Sequence, residues 1–294
     1  MTKTVLILGA SGRFGRSMGV AFERKGWQIR RFDRKRDDLE TAAKGVDIIV
    51  HGWNPPYHRW AKDMPEQTRM VISAARKSGA TVLLAGNVYV YGADAPEVFS
   101  SDTPHHAENL MGRLRIELEQ ALKQSGVPTI ILRAGDFLDT KASGNWFDMI
   151  VSKPVAKGRI AYPGPVDTTH AWAYLPDFCR AFVELAEKRE SLPQFTTLNF
   201  EGYTLTGQEM ARILGVQAGR FNWLQIYALA PFWPLGRRIL EMRYLWHKPH
   251  RIDGGAFQKV LPDFVQTPVA EAVHRAASVN IDPDKPMVRT GATV

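Results

Sequence analysis

The stretch Val5-Leu6-Ile7-Leu8-Gly9-Ala10-Ser11-Gly12-Arg13-Phe14-Gly15 constrains this chain more than any other. A four-residue apolar run breaks into glycines spaced GxxGxxG and continues as a helix-like segment to Lys25. That order reads as strand, phosphate loop, helix. Gly9 permits the tight turn off the strand, Gly12 lets backbone N–H groups approach a pyrophosphate, and Gly15 lets helix and strand pack closely. Ser11, Arg13 and Phe14 lie between these glycines and join them as candidate contacts. A second strand over residues 28–32 ends in Asp33, 24 residues after Gly9, where a βαβ unit places the carboxylate that takes the adenosine ribose hydroxyls. The pattern implies a bound dinucleotide. Asp33 accepts hydrogen bonds from both hydroxyls and repels a 2′-phosphate, which favours NAD, while Arg34 beside it keeps NADP open.

Further along, strand and helix alternate at short spacing: helix over 37–44, strand 46–50, helix 64–78, strand 81–85, helix 108–124 and strand 128–133. This alternation predicts an α/β fold with a doubly wound parallel sheet. Past residue 135 loops rich in Gly, Pro and aromatics take over, with helices expected at 176–188 and 206–214. We read a dinucleotide-binding domain over 1–137 and a substrate lobe over 138–294, interleaved with the sheet around 165–200, with a loose tail from 282.

An excess of 38 Lys+Arg over 30 Asp+Glu favours anionic ligands, but no nucleic-acid motif accompanies the basic clusters at 30–36 and 237–251. The single cysteine, Cys179, excludes an intrachain disulfide and a cysteine-based zinc site, and His247 and His250 lack companion acids, so no metal is expected. No segment has the apolar length of a membrane span; with the first strand at the N-terminus, the expected compartment is cytoplasmic. The apolar segment 223–235, interrupted by Pro231 and Pro234, reads as lobe core or dimer surface rather than a membrane foot. No Gly-x-Ser-x-Gly elbow or Walker loop offers a hydrolase or NTPase reading.

Several later motifs fall in a telling order: Val88-Tyr89-Val90-Tyr91-Gly92, Arg133-Ala134-Gly135-Asp136-Phe137, Ala171-Trp172-Ala173-Tyr174-Leu175-Pro176-Asp177, and Thr267-Pro268 before a final helix. With the glycine loop and Asp33 they give the whole chain a resemblance to the extended and atypical short-chain dehydrogenase/reductases of the nucleotide-sugar epimerase/dehydratase type. The resemblance implies a Rossmann-type sheet, NAD(P)-dependent redox or epimerase chemistry on a small polar or nucleotide-sugar-like substrate, and a homodimer formed through the helices at 64–78 and 108–124.

The catalytic centre departs from that family. Its Ser/Thr position maps onto Asn87, and its Tyr-Gly-x-x-Lys onto Met111-Gly112-Arg113-Leu114-Arg115. Methionine transfers no proton, and arginine stays charged at any working pH. An enzyme therefore needs an acid/base elsewhere, with Tyr89, Tyr91, His105, His106, Asp136 and Tyr174 as polar candidates; the alternative is a non-catalytic NAD(P)-binding sensor or scaffold. Asn87 and Arg115, at the matched positions, and Tyr91, among the relocated candidates, are the catalytic candidates, and Asn87 could also hold the nicotinamide ribose or cap the strand. Gly52, Trp53 and Asn54, in the loop after the strand at 46–50, are expected on the cofactor side. Tyr89, Asp136, Asn145 and His170 are the candidate substrate contacts.

Overall fold

The apolar runs become the inner strands of one sheet. The computed structural model describes residues 3–281, so the tail expected from 282 lies outside the described residues. In chain order the strands are β1 (Thr4–Leu8), β2 (Gln28–Arg31), β3 (Ile48–His51), β4 (Thr81–Asn87), β5 (Val98–Phe99), β6 (Thr129–Ala134), β7 (Asp136–Leu138), β8 (His170–Tyr174), β9 (Phe195–Asn199), β10 (Tyr203–Leu205) and β11 (Arg251–Ile252). Six of them form a parallel sheet in the order β2-β1-β3-β4-β6-β9. Strands β1 and β3 are buried along their whole length, as a sheet covered on both faces requires, while edge strand β2 carries Arg30 and Arg31.

The helices are α1 (Arg13–Arg24), α2 (Leu39–Ala42), α3 (Trp60–Ser78), α4 (Leu110–Ser125), α5 (Leu175–Glu187), α6 (Gly207–Leu214), α7 (Leu224–Leu229), α8 (Pro234–Glu241), α9 (Gly255–Val260) and α10 (Val269–Ala277). Alternate residues of each strand sort onto opposite faces. Val5, Ile7, Ile48 and Val50 pack with Phe14 and Met18 of α1 and Phe178 and Phe182 of α5. Leu6, Leu8, Ile49, Val82 and Leu84 pack with Met64 and Val71 of α3 and Met111, Leu114 and Leu118 of α4. This is the expected doubly wound α/β fold of Rossmann type.

A smaller sheet, β10-β8-β7, and a third core of Leu138, Phe147, Trp172, Tyr174, Met210, Leu214 and Trp246 lie beyond residue 135. Strand β9 comes from that later part of the chain but pairs with β6 in the main sheet, Leu198 opposite Leu132.

Several boundaries differ from expectation for local reasons. Helix α3 starts at Trp60, ahead of Pro65, because Trp60 is buried and its Nε1 donates to Pro55 O at 2.8 Å, anchoring an earlier turn. Thr206 stands outside α6 as its cap: its hydroxyl accepts the Glu209 N–H while the Glu209 carboxylate accepts the Thr206 N–H. The segment 223–235 is not core as a whole. It folds into α7 and the start of α8, and α7 has no buried residue.

Candidate functional site

Glycines bring three backbone segments together at the carboxyl end of β1. Gly9 has φ +70°, and a Cβ on it would stand 2.6 Å from Gly52 O; one on Gly15 would stand 2.3 Å from Gly9 O, and one on Gly52 2.4 Å from Leu8 O. The end of β1, the first turn of α1 and the loop after β3 therefore touch where any side chain would force them apart. Gly12 is different. It sits at the N-cap of α1 with φ −73°, its N–H donates to Gly9 O at 2.9 Å, and a Cβ there would meet only Gly9 O, at 3.3 Å. No side chain caps α1 and its first turn carries no acid. Its free N–H groups and the positive end of its dipole form a cradle that suits a phosphate.

Of the other loop residues, Ser11 is exposed. Arg13 donates to Gly144 O at 2.7 Å, tying the loop to the segment beyond β7. Phe14 is buried against Phe178 and Phe182, so its side chain fastens α1 to α5 rather than lining the cradle.

At the end of β2, Asp33 is half-exposed; its Oδ1 accepts the Lys35 N–H at 2.9 Å and its Oδ2 lies 3.4 Å from Arg36 Nε. The Arg34 guanidinium lies 4.8 Å over the Trp53 ring, and Trp53 meets Phe32 edge-on. Asn54 is exposed beside them.

Several of the expected catalytic candidates are taken up by packing and backbone contacts. Met111 is fully buried, and its N–H donates to Glu241 Oε1 at 2.8 Å. Arg115 is buried, donates to Ala85 O and lies over the Trp60 ring. Asn87 Oδ1 accepts the Tyr89 N–H at 3.1 Å, capping the turn after β4. Tyr91 is buried and stacked on Phe99 with centroids 4.4 Å apart, which removes it from the cleft; burial pushes its hydroxyl pKa up. Tyr174 is buried in the third core, and burial raises it as well.

Beneath them lies a charged pair that sequence reading missed. Arg133, with no exposed surface, donates to both Glu119 oxygens at 3.0 and 2.8 Å and to Asn87 O at 2.7 Å. Burial pushes the Glu119 carboxyl up, but Arg133 overrides it and holds the group below its ordinary value. Arg115 and Arg133 thus fix the carbonyls of Ala85 and Asn87 at the end of β4. His105 sits beside this pair with its pKa lowered by burial and by Arg133, and His106 is exposed.

Two further polar pairs stand out. The hydroxyls of Tyr57 and Tyr89 are 2.8 Å apart, and burial raises both pKa values, so each stays a protonated donor. His170 Nε2 lies 2.8 Å from Asp136 Oδ2. His170 is buried, stacked parallel on Trp246 at 4.2 Å, and its Nδ1 has no partner among the described residues; Asp136 keeps 27% of its side chain exposed. Asn145 is spent within its own loop, its amide donating to Ser143 Oγ and its carbonyl accepting the Asp148 N–H. Tyr57 was legible only as part of an aromatic loop. Nothing in the spacing signals that it meets Tyr89, 32 residues later.

Among the described residues no group of His, Cys, Asp and Glu could hold a metal ion, and no helix is long and apolar enough to cross a membrane. No protein-family model matches the chain, and no curated protein matches it. Solved structures do. MoeE5 in complex with UDP-glucose and NAD is 17% identical over 94% of this chain and 98% of that one, with a TM-score of 0.70. The L-threonine dehydrogenase of Clostridium difficile is 14% identical over 96% and 99%, TM-score 0.73. The dTDP-4-dehydrorhamnose reductase of Bacillus anthracis, in complex with NADP, is 17% identical over 94% and 98%, TM-score 0.69. The chain shares the fold of these structures, a parallel sheet of Rossmann type. At these identities the likeness establishes architecture, and the chemistry has to be argued from this chain's own residues.

Proposed function

We propose that the protein binds NAD in the cleft at the carboxyl end of its sheet and carries out redox or epimerase chemistry on a small polar or nucleotide-sugar-like substrate, with Asp136 in place of the family's tyrosine. The observation that carries the cofactor reading is the uncapped α1 N-terminus behind Gly12, held open by the close approach of Gly9, Gly15 and Gly52. Asp33 would take the adenosine ribose, and its carboxylate disfavours a 2′-phosphate. The Arg34–Trp53 stack would offer a flat face to the adenine.

Bound NAD supplies a hydride acceptor. The chain's residues must then move a proton. Asp136 is the partly exposed carboxylate of the two polar pairs, suited to take the proton of a substrate hydroxyl as the carbinol hydrogen leaves as hydride, and to return it in the reverse direction. His170 orients that carboxylate from behind, itself held by Trp246. Of Tyr57 and Tyr89, kept protonated by burial, the one that accepts the bond between them can donate its own proton to the developing substrate oxygen. In this reading the cofactor domain ends at residue 137, and two copies pair through α3 and α4.

A second reading, NAD binding without turnover, is favoured by the burial of Met111 and by Arg115 being spent on Ala85 O. Screening nicotinamide absorbance changes against nucleotide sugars and small polar alcohols separates the two. Turnover that Asp136→Asn abolishes supports the enzyme; tight dinucleotide binding with no turnover on any substrate supports the sensor.

A further inference from the structure

Helices α7 and α8 form an outward-facing apolar hairpin against the Tyr57–Arg59 turn. Phe232 is 90% exposed, Leu224 71%, Leu229 57%, Tyr227 47% and Trp233 38%, all within ten residues of sequence. Single exposed apolar residues are ordinary, but five large ones on one short hairpin are not. The inner side of the hairpin is firmly built in. Trp223 Nε1 donates to Pro163 O at 2.7 Å, Gly236 packs under Trp233, and α8 lies against the Tyr57–Arg59 turn that walls the cleft. The exposed side is therefore a fixed face rather than a frayed loop.

Along the sequence, the charge of this stretch is one-sided. Between Glu209 and Glu241 the chain has no acidic residue and four arginines, at 212, 220, 237 and 238. Arg212, Arg220 and Arg237 are exposed, while Arg238 pairs with Glu241. A symmetric contact between two copies would set arginine against arginine with no acid within this stretch to relieve it. An anionic lipid surface satisfies both halves of the pattern: headgroups meet the guanidinium groups, and the aromatic and aliphatic side chains enter the acyl boundary, where Trp and Tyr are at home. Each helix is far too short to span a bilayer, so the hairpin would lie in the interface plane.

The geometry points to peripheral docking of this protein on an anionic membrane through α7 and α8, which would set the cleft mouth near the bilayer surface. Of the two expectations for 223–235, the exposure of these side chains removes the core; the proposal replaces the dimer surface with a lipid one, and it does not depend on the cofactor reading.

The test is co-sedimentation of the full chain with phosphatidylcholine vesicles and with phosphatidylcholine–phosphatidylglycerol vesicles in a three-to-one ratio, without nucleotide. Binding is expected to the anionic vesicles and to weaken with salt. The double variant Leu229→Ser, Phe232→Ser should lose at least about tenfold in partitioning, and Arg237→Gln about fivefold. Thermal melting of each variant shows that it is folded. Absence of wild-type binding to anionic vesicles, or unchanged binding by the double variant, overturns the proposal. So does a wild-type dimer in sedimentation velocity that the double variant dissolves, because the face then belongs to a second copy.

Discussion

The cofactor end and the catalytic end of the cleft are built by different means. At the cofactor end the essential features are backbone: a glycine with positive φ, three approaches that exclude a Cβ, and an uncapped helix start. At the catalytic end they are side chains brought from the turn after β4, α4, β6, β7, β8 and the loop after β3, held by a buried ion pair and by aromatic stacking. A backbone device tolerates almost no substitution and so leaves a spaced signature. A side-chain device can be rebuilt with other residues at other places, as Met111 and Arg115 show.

The contrast breaks most sharply at Asp136. Its change to Asn should lower turnover by about two to four orders of magnitude while leaving dinucleotide affinity as it was, in parallel steady-state and calorimetric measurements. An equal loss of both would mean that Asp136 shapes the cofactor site.

Next in size is Glu119→Ala, which strands Arg133 with no exposed surface and should cost about 3–5 kcal/mol in urea unfolding. Glu119→Gln keeps one acceptor and should cost less. A neutral result for Glu119→Ala would mean that the end of β4 does not depend on this pair.

Acid offers a third handle. Burial pushes both His51 and His250 down to about 3, with Arg115 adding to the effect on His51 and His170 to that on His250. Below 6.5 the unfolded chain takes up protons that these buried rings refuse. The stability they confer is therefore complete above pH 6.5 and is lost as pH falls toward 3, by at most about 1.4 kcal/mol per pH unit for each ring. His250→Phe should flatten that slope in pH-dependent unfolding, and an unchanged slope would remove His250 from the account.

Smaller still is the cofactor end's own steric test. Gly15→Ala puts a Cβ 2.3 Å from Gly9 O and should cost about 1–3 kcal/mol. Gly26→Ala meets nothing within 4 Å and has only its φ of +75° against it, so it should cost about 1 kcal/mol, at the low end of the left-handed penalty. Thermal melts that rank the two the other way would mean the β1–α1 contact is looser than described.

This division also explains what could be read in advance. The sheet, its two faces and the glycine loop follow from local patterns: apolar runs at 5–8 and 46–50, turn glycines, and Asp33 at the end of β2. The Tyr57–Tyr89, Glu119–Arg133 and Asp136–His170 pairs join residues 14 to 34 positions apart through tertiary packing, and no local period encodes them. The α7–α8 hairpin misled for a related reason. Its apolar residues look like core in the sequence, and their exposure among the described residues is a property of the whole fold.

The most direct test of the central claim is calorimetric titration of nucleotide-free protein with NAD⁺, NADH, NADP⁺ and NADPH, for the wild type and for Gly12→Asp. An aspartate fits the Gly12 backbone and would cap α1, so stability should hold or rise by up to about 1 kcal/mol. Its charge would occupy the phosphate cradle. Tight binding of the NAD pair by the wild type, lost in a variant that melts no lower, is the expected result. Binding of neither pair by the wild type, or full binding by Gly12→Asp, would contradict the account.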